Sequence, residues 1–230
     1  MYNEIRVIIP AYNEERSIAK VIEEIPGNLV SEIIVVNNGS GDNTADAARK
    51  AGATVVDEPA RGYGNACLKG MSYIRENVDN STGIIVFMDG DHSDYPEEMK
   101  EMTALINAGK ADLVIGSRAL GKREKGSMTP QQLFGNWLAT RLMNWLYRAE
   151  FTDLGPFRAI RWESLKKLGM EDRNYGWTIE MQIKAIKKGL RCLEVPASYR
   201  RRIGVSKVSG TLTGSVLAGI KIIRVIFKYR

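Results

Sequence analysis

The sequence predicts an α/β fold with a mostly parallel sheet flanked by helices, in a chain of 230 residues. In residues 1–118, short apolar runs alternate with amphipathic, helix-like segments. The runs are continuously apolar, which is typical of parallel strands that helices cover on both faces. Polar residues follow several runs, at the carboxyl ends where such sheets bind ligands. The pattern therefore predicts a crevice there, lined by Pro10, Asn37, Asp89 and Ser117.

The elements of residues 1–118 follow in strict alternation. Strands are predicted over 5–10, 32–38, 53–58, 83–89 and 111–117, and helices over 16–25, 42–52, 64–78 and 96–109. Asp42 is a plausible N-cap of the second helix, and Pro96 lies in the first turn of the fourth.

The remaining residues are less regular. A loop rich in glycine and charge is predicted over 118–130, followed by an aromatic-rich helix over 131–148. Further predictions are a turn, short strand and helix start in 151–165, a helix over 175–189, an extended segment over 190–202 and a helix from 208.

Composition excludes several classes of protein. The two cysteines, Cys67 and Cys192, are far apart, which argues against a disulfide scaffold or a zinc site and favours a reducing cytosol. The N-terminus lacks the pattern of a signal peptide, and no apolar stretch reaches the length of about 18 residues expected of a transmembrane helix. Neither a dinucleotide-binding G-x-G-x-x-G turn nor a P-loop is present.

The net charge of +6 is concentrated at the C-terminus. Residues 201–230 hold seven Lys or Arg and no acid, whereas the other 200 residues carry 26 bases and 27 acids. Such a segment suits nucleic acid, a membrane surface or phosphates, although a solvated charged face is the alternative.

Carboxylates follow the apolar strand 83–89 in the stretch FMDGDHSD. Asp89 and Asp91 are spaced to hold one hard cation such as Mg²⁺ or Mn²⁺, and Gly90 permits close approach of a ligand. The alternative is a capping turn around Asp94. His92, the single histidine, is interpreted as a loop or packing residue.

Five ordered motifs carry a family resemblance: VIIPAYNEE (7–15), VVNNGSGDNT (35–44), RGYGNACLKG (61–70), FMDGDHSD (87–94) and DLVIGSR (112–118). In order and spacing they resemble the family 2 glycosyltransferases, which have the GT-A fold. The later segments 152–162, 175–185 and 198–211 resemble the branch of dolichol-phosphate mannose synthase and dolichyl-phosphate glucosyltransferase.

The resemblance implies a role for each matching position. The nucleotide-sugar contacts would be Pro10, Tyr12, Glu14, Val36, Asn38, Gly62 and Gly90. The metal ligands would be Asp89 and Asp91, with Arg118 on the phosphates or the acceptor. The acceptor phosphate would be bound by Arg200, Arg202, Ser206 and Lys207. Many members have two aspartates at 37–38 and some mannose synthases a glutamine at 93, so the donor base and sugar stay open.

The acceptor determines whether the reaction needs a base. A hydroxyl acceptor would need one, and Asp153 and Glu180 are the candidates. Their alternative interpretations are a turn cap and a residue of a helix face. A lipid monophosphate is already anionic near neutrality, since its second pKa is about 6, and it needs cations instead. Alternation along an extended segment would put Arg200 and Arg202 on one side.

The tail from 208 has two helical faces. Lys221, Arg224 and Lys228 share one face, and a separate apolar stripe contains Leu212, Val216, Ile220, Ile223 and Phe227. A basic amphipathic helix of this kind suits an anionic membrane interface. Packing on the domain or on a second subunit is the equal alternative.

Taken with the resemblance, these patterns predict a metal-dependent inverting enzyme that moves a hexose from a UDP-glucose or GDP-mannose type donor to a polyprenyl phosphate. Residues 1–203 would form the catalytic domain, with a nucleotide-sugar half (1–118) and an acceptor half (119–203), followed by a C-terminal helix (204–230). We expect a cytoplasmic protein, peripheral at the cytosolic membrane face, that binds no nucleic acid; a homodimer is an open alternative.

Three other functions compete with this prediction. The first is transfer to a hydroxyl of a glycan or small molecule. The second is a sugar-nucleotide pyrophosphorylase, but that class has a Gly-rich turn where this chain has PAYNEE. The third is a non-catalytic nucleotide-sugar sensor, against which the two aspartates and the basic segment argue.

Overall fold

The computed structural model describes residues 4–78, 82–204 and 212–230. Seven strands form one sheet in the order β3-β2-β1-β4-β6-β5-β7. The strands are β1 (Glu4–Ala11), β2 (Glu32–Asn37), β3 (Thr54–Asp57), β4 (Thr82–Phe87), β5 (Leu113–Ser117), β6 (Arg158–Arg161) and β7 (Cys192–Pro196). All pairings are parallel except those of β6, which runs antiparallel to both neighbours.

Helices cover both faces of the sheet. They are α1 (Ile18–Glu24), α2 (Thr44–Lys50), α3 (Tyr63–Asn77), α4 (Met99–Asn107), α5 (Pro130–Tyr147), α6 (Trp162–Leu168), α7 (Trp177–Lys187) and α8 (Leu212–Lys228). One buried core joins the sheet to α3, α5, α6, α7 and α8, and the other joins it to α1, α2 and α4. The predicted α/β class with a mostly parallel, helix-flanked sheet is confirmed.

The short strand predicted within 151–165 is β6, but the sequence did not predict that it runs antiparallel to its two neighbours. It has only four residues, too few for a pattern, and it inserts between β4 and β5. Because neighbouring strands are about 4.8 Å apart, β6 separates β4 from β5 by about 10 Å. The residues that follow β4 and β5 therefore face each other across a gap instead of being adjacent.

The C-terminal helix α8 packs on the domain, against α5 and α7. Val225 and Ile226 are buried in the core, and the Tyr147 hydroxyl donates a hydrogen bond to the Ile226 carbonyl at 2.5 Å. Of the two alternatives for the tail, packing on the domain is the one observed. No helix within the described ranges combines the length and apolarity needed to cross a bilayer.

Candidate active site

A cavity of about 1090 Å³ opens at the carboxyl ends of β1 and β4 and extends between α5 and α8. Its lining includes seven predicted site residues at the strand ends: Pro10, Tyr12, Glu14, Asn38, Gly62, Asp89 and Gly90. Asp91, Arg118 and Arg202 also line it. Of the four strand-end residues expected to share a crevice, Pro10 and Asp89 line the cavity, whereas Asn37 and Ser117 do not.

Three carboxylates crowd the segment after β4. Asp91 and Asp94 are almost completely buried, and Asp89 is partly exposed to the cavity. Burial, followed by repulsion from Asp91, raises the pKa of Asp89 to about 7. Burial, followed by repulsion from Asp89 and Asp91, raises the pKa of Asp94. One of the Asp94 carboxylate oxygens has no hydrogen-bond partner. The surroundings thus do not fully stabilise three negative charges in this cluster.

Arg202 supplies one positive charge to this cluster. Its guanidinium lies 2.8 Å from the Asp91 carboxylate, and the Ile203 amide donates to the Asp91 carbonyl at 2.9 Å. Burial opposes the charge of Arg202, but Asp91, Tyr199 and Asp89 together outweigh burial and raise the arginine pKa. The other Asp91 oxygen accepts from the Ser93 amide at 2.9 Å and from its hydroxyl at 2.5 Å.

The carboxylate oxygens of this segment fit a divalent cation. Asp89 and Asp91 present hard oxygen ligands at the cavity. The Arg202 guanidinium supplies a positive charge that balances the carboxylate of Asp91. The described residues contain no group of three or more acidic, histidine or cysteine side chains that could hold a metal ion. The arrangement therefore fits an ion that takes protein carboxylates together with ligand phosphates and water, as Mg²⁺ and Mn²⁺ do, and not a fully enclosed metal site.

Tyr12 and Arg61 form one wall of the strand-end side of the cavity. The Arg61 guanidinium lies 4.3 Å above the Tyr12 ring and donates to its hydroxyl at 2.5 Å. This pair provides a flat, cationic surface on which a base or ribose can lie. Arg61 was within a quoted motif but was not predicted as a site residue.

The Asn38 side chain shapes the same wall through hydrogen bonds to the backbone of residues 58–62. Its side-chain amide donates to the carbonyls of Glu58 and Ala60, at 3.0 and 2.8 Å, and its oxygen accepts from the Gly62 amide at 2.8 Å. Gly62 has φ +140°, and a Cβ there would lie 2.2 Å from the Arg173 carbonyl oxygen. Asn38 thus holds the 58–62 turn in place.

Val36 is a correction to the predicted site. Its side chain is completely buried in the core, because alternate residues of β2 point to opposite faces of the sheet and Val36 points to the face covered by α3 and α5 to α8. A side-chain contact to a nucleotide is therefore ruled out at this position.

Arg118 and Asp153 form a buried ion pair. The Asp153 carboxylate accepts from the Arg118 amide at 2.7 Å and from its guanidinium at 2.8 and 2.6 Å. Burial opposes both charges, yet each partner outweighs it, so the pKa of Asp153 is lowered and that of Arg118 is raised. Arg118 also lies 5.1 Å from the centre of the Tyr199 ring, another cavity residue. Asp153 itself does not line the cavity, and its geometry is that of a residue that positions Arg118.

Glu180 is a second correction. It is completely buried on α7, away from the cavity lining. Its carboxylate accepts from the Asp172 amide at 2.7 Å and the Tyr229 hydroxyl at 2.7 Å, and pairs with Lys184 at 2.8 Å. These contacts tie the 171–172 backbone and the end of the chain to α7, so Glu180 is structural and not a base.

Arg200 is a third correction. It does not line the cavity; its guanidinium donates to the His92 and Asp94 carbonyls, at 2.7 and 3.1 Å, and pairs with Glu24 at 2.5 Å. His92 also bonds Glu24, at 2.8 Å, in agreement with a packing role. Arg200 thus anchors the 199–204 segment, whereas Arg202 reaches the carboxylates. Ser206 and Lys207 lie outside the described residues.

The other side of the cavity is apolar and cationic. Its apolar lining consists of Met128, Phe134, Leu138, Ala139, Leu154, Ala218, Ile220, Ile222 and Ile223. Its charged lining consists of Arg118 and Arg224, since Arg202 pairs with Asp91 on the strand-end side. Glu14, Asp89 and Asp91 are the acidic residues among the described cavity residues, and all belong to the strand-end side. This chemistry suits a ligand with an anionic head and an apolar body.

The predicted basic face of the tail is largely neutralised. Lys221 pairs with Asp172 at 2.8 Å and Lys228 pairs with Glu171 at 3.0 Å, while Arg224 lines the cavity. The three cations therefore do not form one free basic face, and their contact with a membrane stays a prediction. Helical spacing correctly grouped them, but it could not show that acidic residues of the domain lie opposite.

Comparison with known proteins gives this geometry a family. The sequence model of Glycosyl transferase family 2 matches residues 6–169. An uncharacterized glycosyltransferase of Mycobacterium tuberculosis is 35% identical over 222 residues, which cover 93% of this chain and 94% of the relative. The undecaprenyl-phosphate mannosyltransferase of Micrococcus luteus is 27% identical over 225 residues, covering 93% and 90%.

A solved structure shows the same fold. Glucosyl-3-phosphoglycerate synthase from M. tuberculosis, in complex with Mn²⁺, UDP and glucosyl-3-phosphoglycerate, superposes with a TM-score of 0.77 at 24% identity, over 99% of this chain and 80% of that one. The family match covers more than half of the chain and includes β1 to β6. The protein belongs to glycosyl transferase family 2 and is a glycosyltransferase with a GT-A fold.

Proposed function

We propose that this glycosyltransferase moves a hexose from a UDP-glucose or GDP-mannose type donor to a polyprenyl phosphate, with inversion and with Mg²⁺ or Mn²⁺. The observation that carries the proposal is the division of the cavity. Its described acidic residues lie on the strand-end side, where Arg202 pairs with Asp91, and an apolar wall with Arg118 and Arg224 forms the other side. The Micrococcus relative, named an undecaprenyl-phosphate mannosyltransferase, supports the same class of acceptor.

The strand-end side would bind the donor. Tyr12 and Arg61 offer a surface for the nucleoside, and Asn38 fixes the turn that closes it. Asp89 and Asp91 would hold the divalent ion together with the donor diphosphate. When bound, the ion would act as a Lewis acid that offsets the negative charge growing on the leaving diphosphate.

The arginines would position the anionic groups. Arg118 is held by Asp153 with its guanidinium at the cavity, so it is preorganised to donate to a phosphate. Arg202 would exchange its contact with Asp91 for a phosphate oxygen when the donor and its ion are present. A phosphate nucleophile is already anionic near neutrality and needs no base. This agrees with Asp153 and Glu180, the two candidate bases, which do not line the cavity and have protein partners.

Membrane association belongs to the proposal because a polyprenyl phosphate resides in a bilayer. We place the enzyme at the cytosolic face, as a peripheral protein. The long apolar wall between α5 and α8 would accommodate the first isoprene units of the acceptor. A water-soluble hydroxyl acceptor would leave that wall without a role.

The test is a transfer assay that crosses donors with acceptors. UDP-glucose and GDP-mannose are each supplied with Mg²⁺, Mn²⁺ or EDTA, and with a short polyprenyl phosphate, the matching polyprenol or 3-phosphoglycerate. We expect product with the polyprenyl phosphate, none with the polyprenol and none in EDTA. Faster transfer to a hydroxyl acceptor would overturn the lipid proposal, and full activity in EDTA would overturn the metal proposal.

A further inference from the structure

The outer surface of α5 is unusually apolar. Phe134, Trp137 and Trp145 have 62%, 54% and 75% of their surface exposed. At 100° per residue, the exposed large side chains of the helix fall within an arc of about 140°. This arc, the α5 stripe, consists of Leu133, Phe134, Trp137, Leu138, Arg141, Trp145 and Arg148, the last being the residue after the helix. The opposite face packs into the core through Ala139, Thr140 and Met143.

Charge around the stripe has one dominant sign. Residues 119–148 contain five Lys or Arg and a single acid, Glu124. Neither α5 nor the neighbouring helix α8 contains an acidic residue. Arg141 and Arg148 lie within the arc of the stripe and are exposed. Aromatic and aliphatic side chains mixed with arginine, without carboxylates, match the interface of an anionic bilayer.

The stripe is continuous with the active site. Phe134 and Leu138 belong both to the stripe and to the lining of the cavity that contains Asp89 and Arg118. Leu217 and Ile220 of α8 are also exposed, and Ile220 lines the same cavity. An apolar path therefore runs from the protein surface to the catalytic arginine and carboxylates.

We propose that the α5 stripe is the surface on which the enzyme rests on an anionic phospholipid bilayer. The inference rests on the proposed function, since the stripe places the cavity entrance where a membrane-borne acceptor would arrive. A second copy of the chain on the same stripe would instead cover part of that entrance, so the bilayer is the occupant that the geometry favours. α5, and not the paired lysines of α8, makes the principal contact.

Tryptophan fluorescence reports this contact directly. Trp137 and Trp145 are exposed on the stripe, whereas Trp162 and Trp177 are buried. With vesicles of phosphatidylglycerol and phosphatidylcholine, we expect co-sedimentation, a blue shift of emission and quenching by brominated acyl chains. Binding should weaken as salt is raised and on pure phosphatidylcholine, because the arginines attract anionic lipid.

The decisive variant is Trp137→Ser with Trp145→Ser, since neither residue lines the cavity. It should lower vesicle partitioning by about tenfold or more and abolish lipid quenching. Leu193→Ser, at an exposed apolar residue of the edge strand β7, is the matched control and should bind vesicles like the wild type. Circular dichroism and sedimentation velocity verify folding and oligomeric state.

The outcomes separate this inference from the proposed function. Vesicle binding needs neither donor nor acceptor, so it is measured with the enzyme alone. Wild-type protein that ignores anionic vesicles, or a double variant that binds them normally, would overturn the inference even if polyprenyl phosphate were the acceptor. A wild-type dimer that becomes monomeric in the double variant, without vesicle binding, would assign the stripe to self-association. Transfer to a short, water-soluble polyprenyl phosphate should be unchanged in the double variant.

Discussion

Acidic residues that line the cavity and acidic residues outside its lining have opposite surroundings. On the strand-end side of the cavity, Asp89 and Asp91 lie close together, and Asp91 pairs with Arg202, from a segment outside the sheet. Outside the cavity lining, Asp153 is engaged by three hydrogen bonds from Arg118, and Glu180 by backbone amides, Lys184 and Tyr229.

The difference shows which carboxylates can do chemistry. A crowded pair with an exchangeable partner gains when a divalent ion arrives, because the ion relieves their repulsion. A carboxylate that is fully hydrogen-bonded would lose those bonds if it took up a proton. In the proposed function, the strand-end side is thus prepared for a metal and diphosphate, whereas Asp153 and Glu180 keep their protein partners and do not act as bases.

The largest expected effect is at Asp91. Asp91→Asn removes a charged metal ligand and the partner of Arg202, so transfer should fall by roughly a thousandfold. The measurement is kcat/KM at saturating Mn²⁺, with circular dichroism to verify the fold. Asp46→Asn, at an exposed residue of α2, is the matched control and should be silent. Retention of full activity by Asp91→Asn would contradict the role of Asp91 as a metal ligand.

Asp153→Asn distinguishes positioning from base catalysis. Loss of the ion pair should let Arg118 reorient, so kcat/KM should fall by about ten- to a hundredfold. The pH dependence of kcat should keep the shape of the wild type, because no base has been removed. Glu180→Gln is the companion variant and should keep kcat within about twofold. A thousandfold loss with an altered acidic limb in either variant would restore the hydroxyl-acceptor alternative.

The pH dependence of stability tests the crowding at Asp89. Its folded pKa of about 7 lies above its ordinary 3.8, so the folded protein binds more protons than the unfolded chain between these values. The contribution of Asp89 to the free energy of unfolding should therefore decline as pH rises from about 4 to about 7. Since cavity water screens this partly exposed group, the decline should be on the order of 1–2 kcal/mol.

Urea unfolding in EDTA at pH 5 and pH 8 measures this decline as the difference between wild type and Asp89→Asn. The wild type should lose stability relative to the variant at pH 8, and Mn²⁺ should reverse the loss in the wild type alone. A difference that does not change with pH would show that the two carboxylates are not crowded.

The smallest effect is expected at the tail lysines. Lys221→Gln with Lys228→Gln removes cations that already pair with Asp172 and Glu171, so vesicle binding should change by less than about threefold. Loss of binding equal to that of the Trp137→Ser, Trp145→Ser variant would move the membrane contact from α5 to α8. Co-sedimentation of both variants in one experiment makes the comparison.

The strand-end site was the part that the sequence could predict. Pro10, Tyr12, Asp89 and Asp91 come directly after apolar runs, and the topology of parallel sheets brings such positions to one edge. The prediction of a nucleotide contact failed at Val36 for a local reason, since a one-residue change along a strand moves a side chain to the other face. The family motif marked the segment, but the pleat decided which side chain reaches the cavity.

By itself, the sequence determined the α/β class, the positions of the first five strands along the chain, the carboxylates after β4 and the membership of the glycosyltransferase family. These depend on local periodicity and on residues close together in the chain. The tertiary structure decided the partners of isolated charges. Asp153 with Arg118, Glu180 with Tyr229, Arg200 with Glu24 and Lys221 with Asp172 join residues 35 to 176 positions apart. An isolated charge has the same appearance in a sequence whether it faces water, a substrate or a buried partner; only packing removes water from it, and that removal determines whether it is available for catalysis.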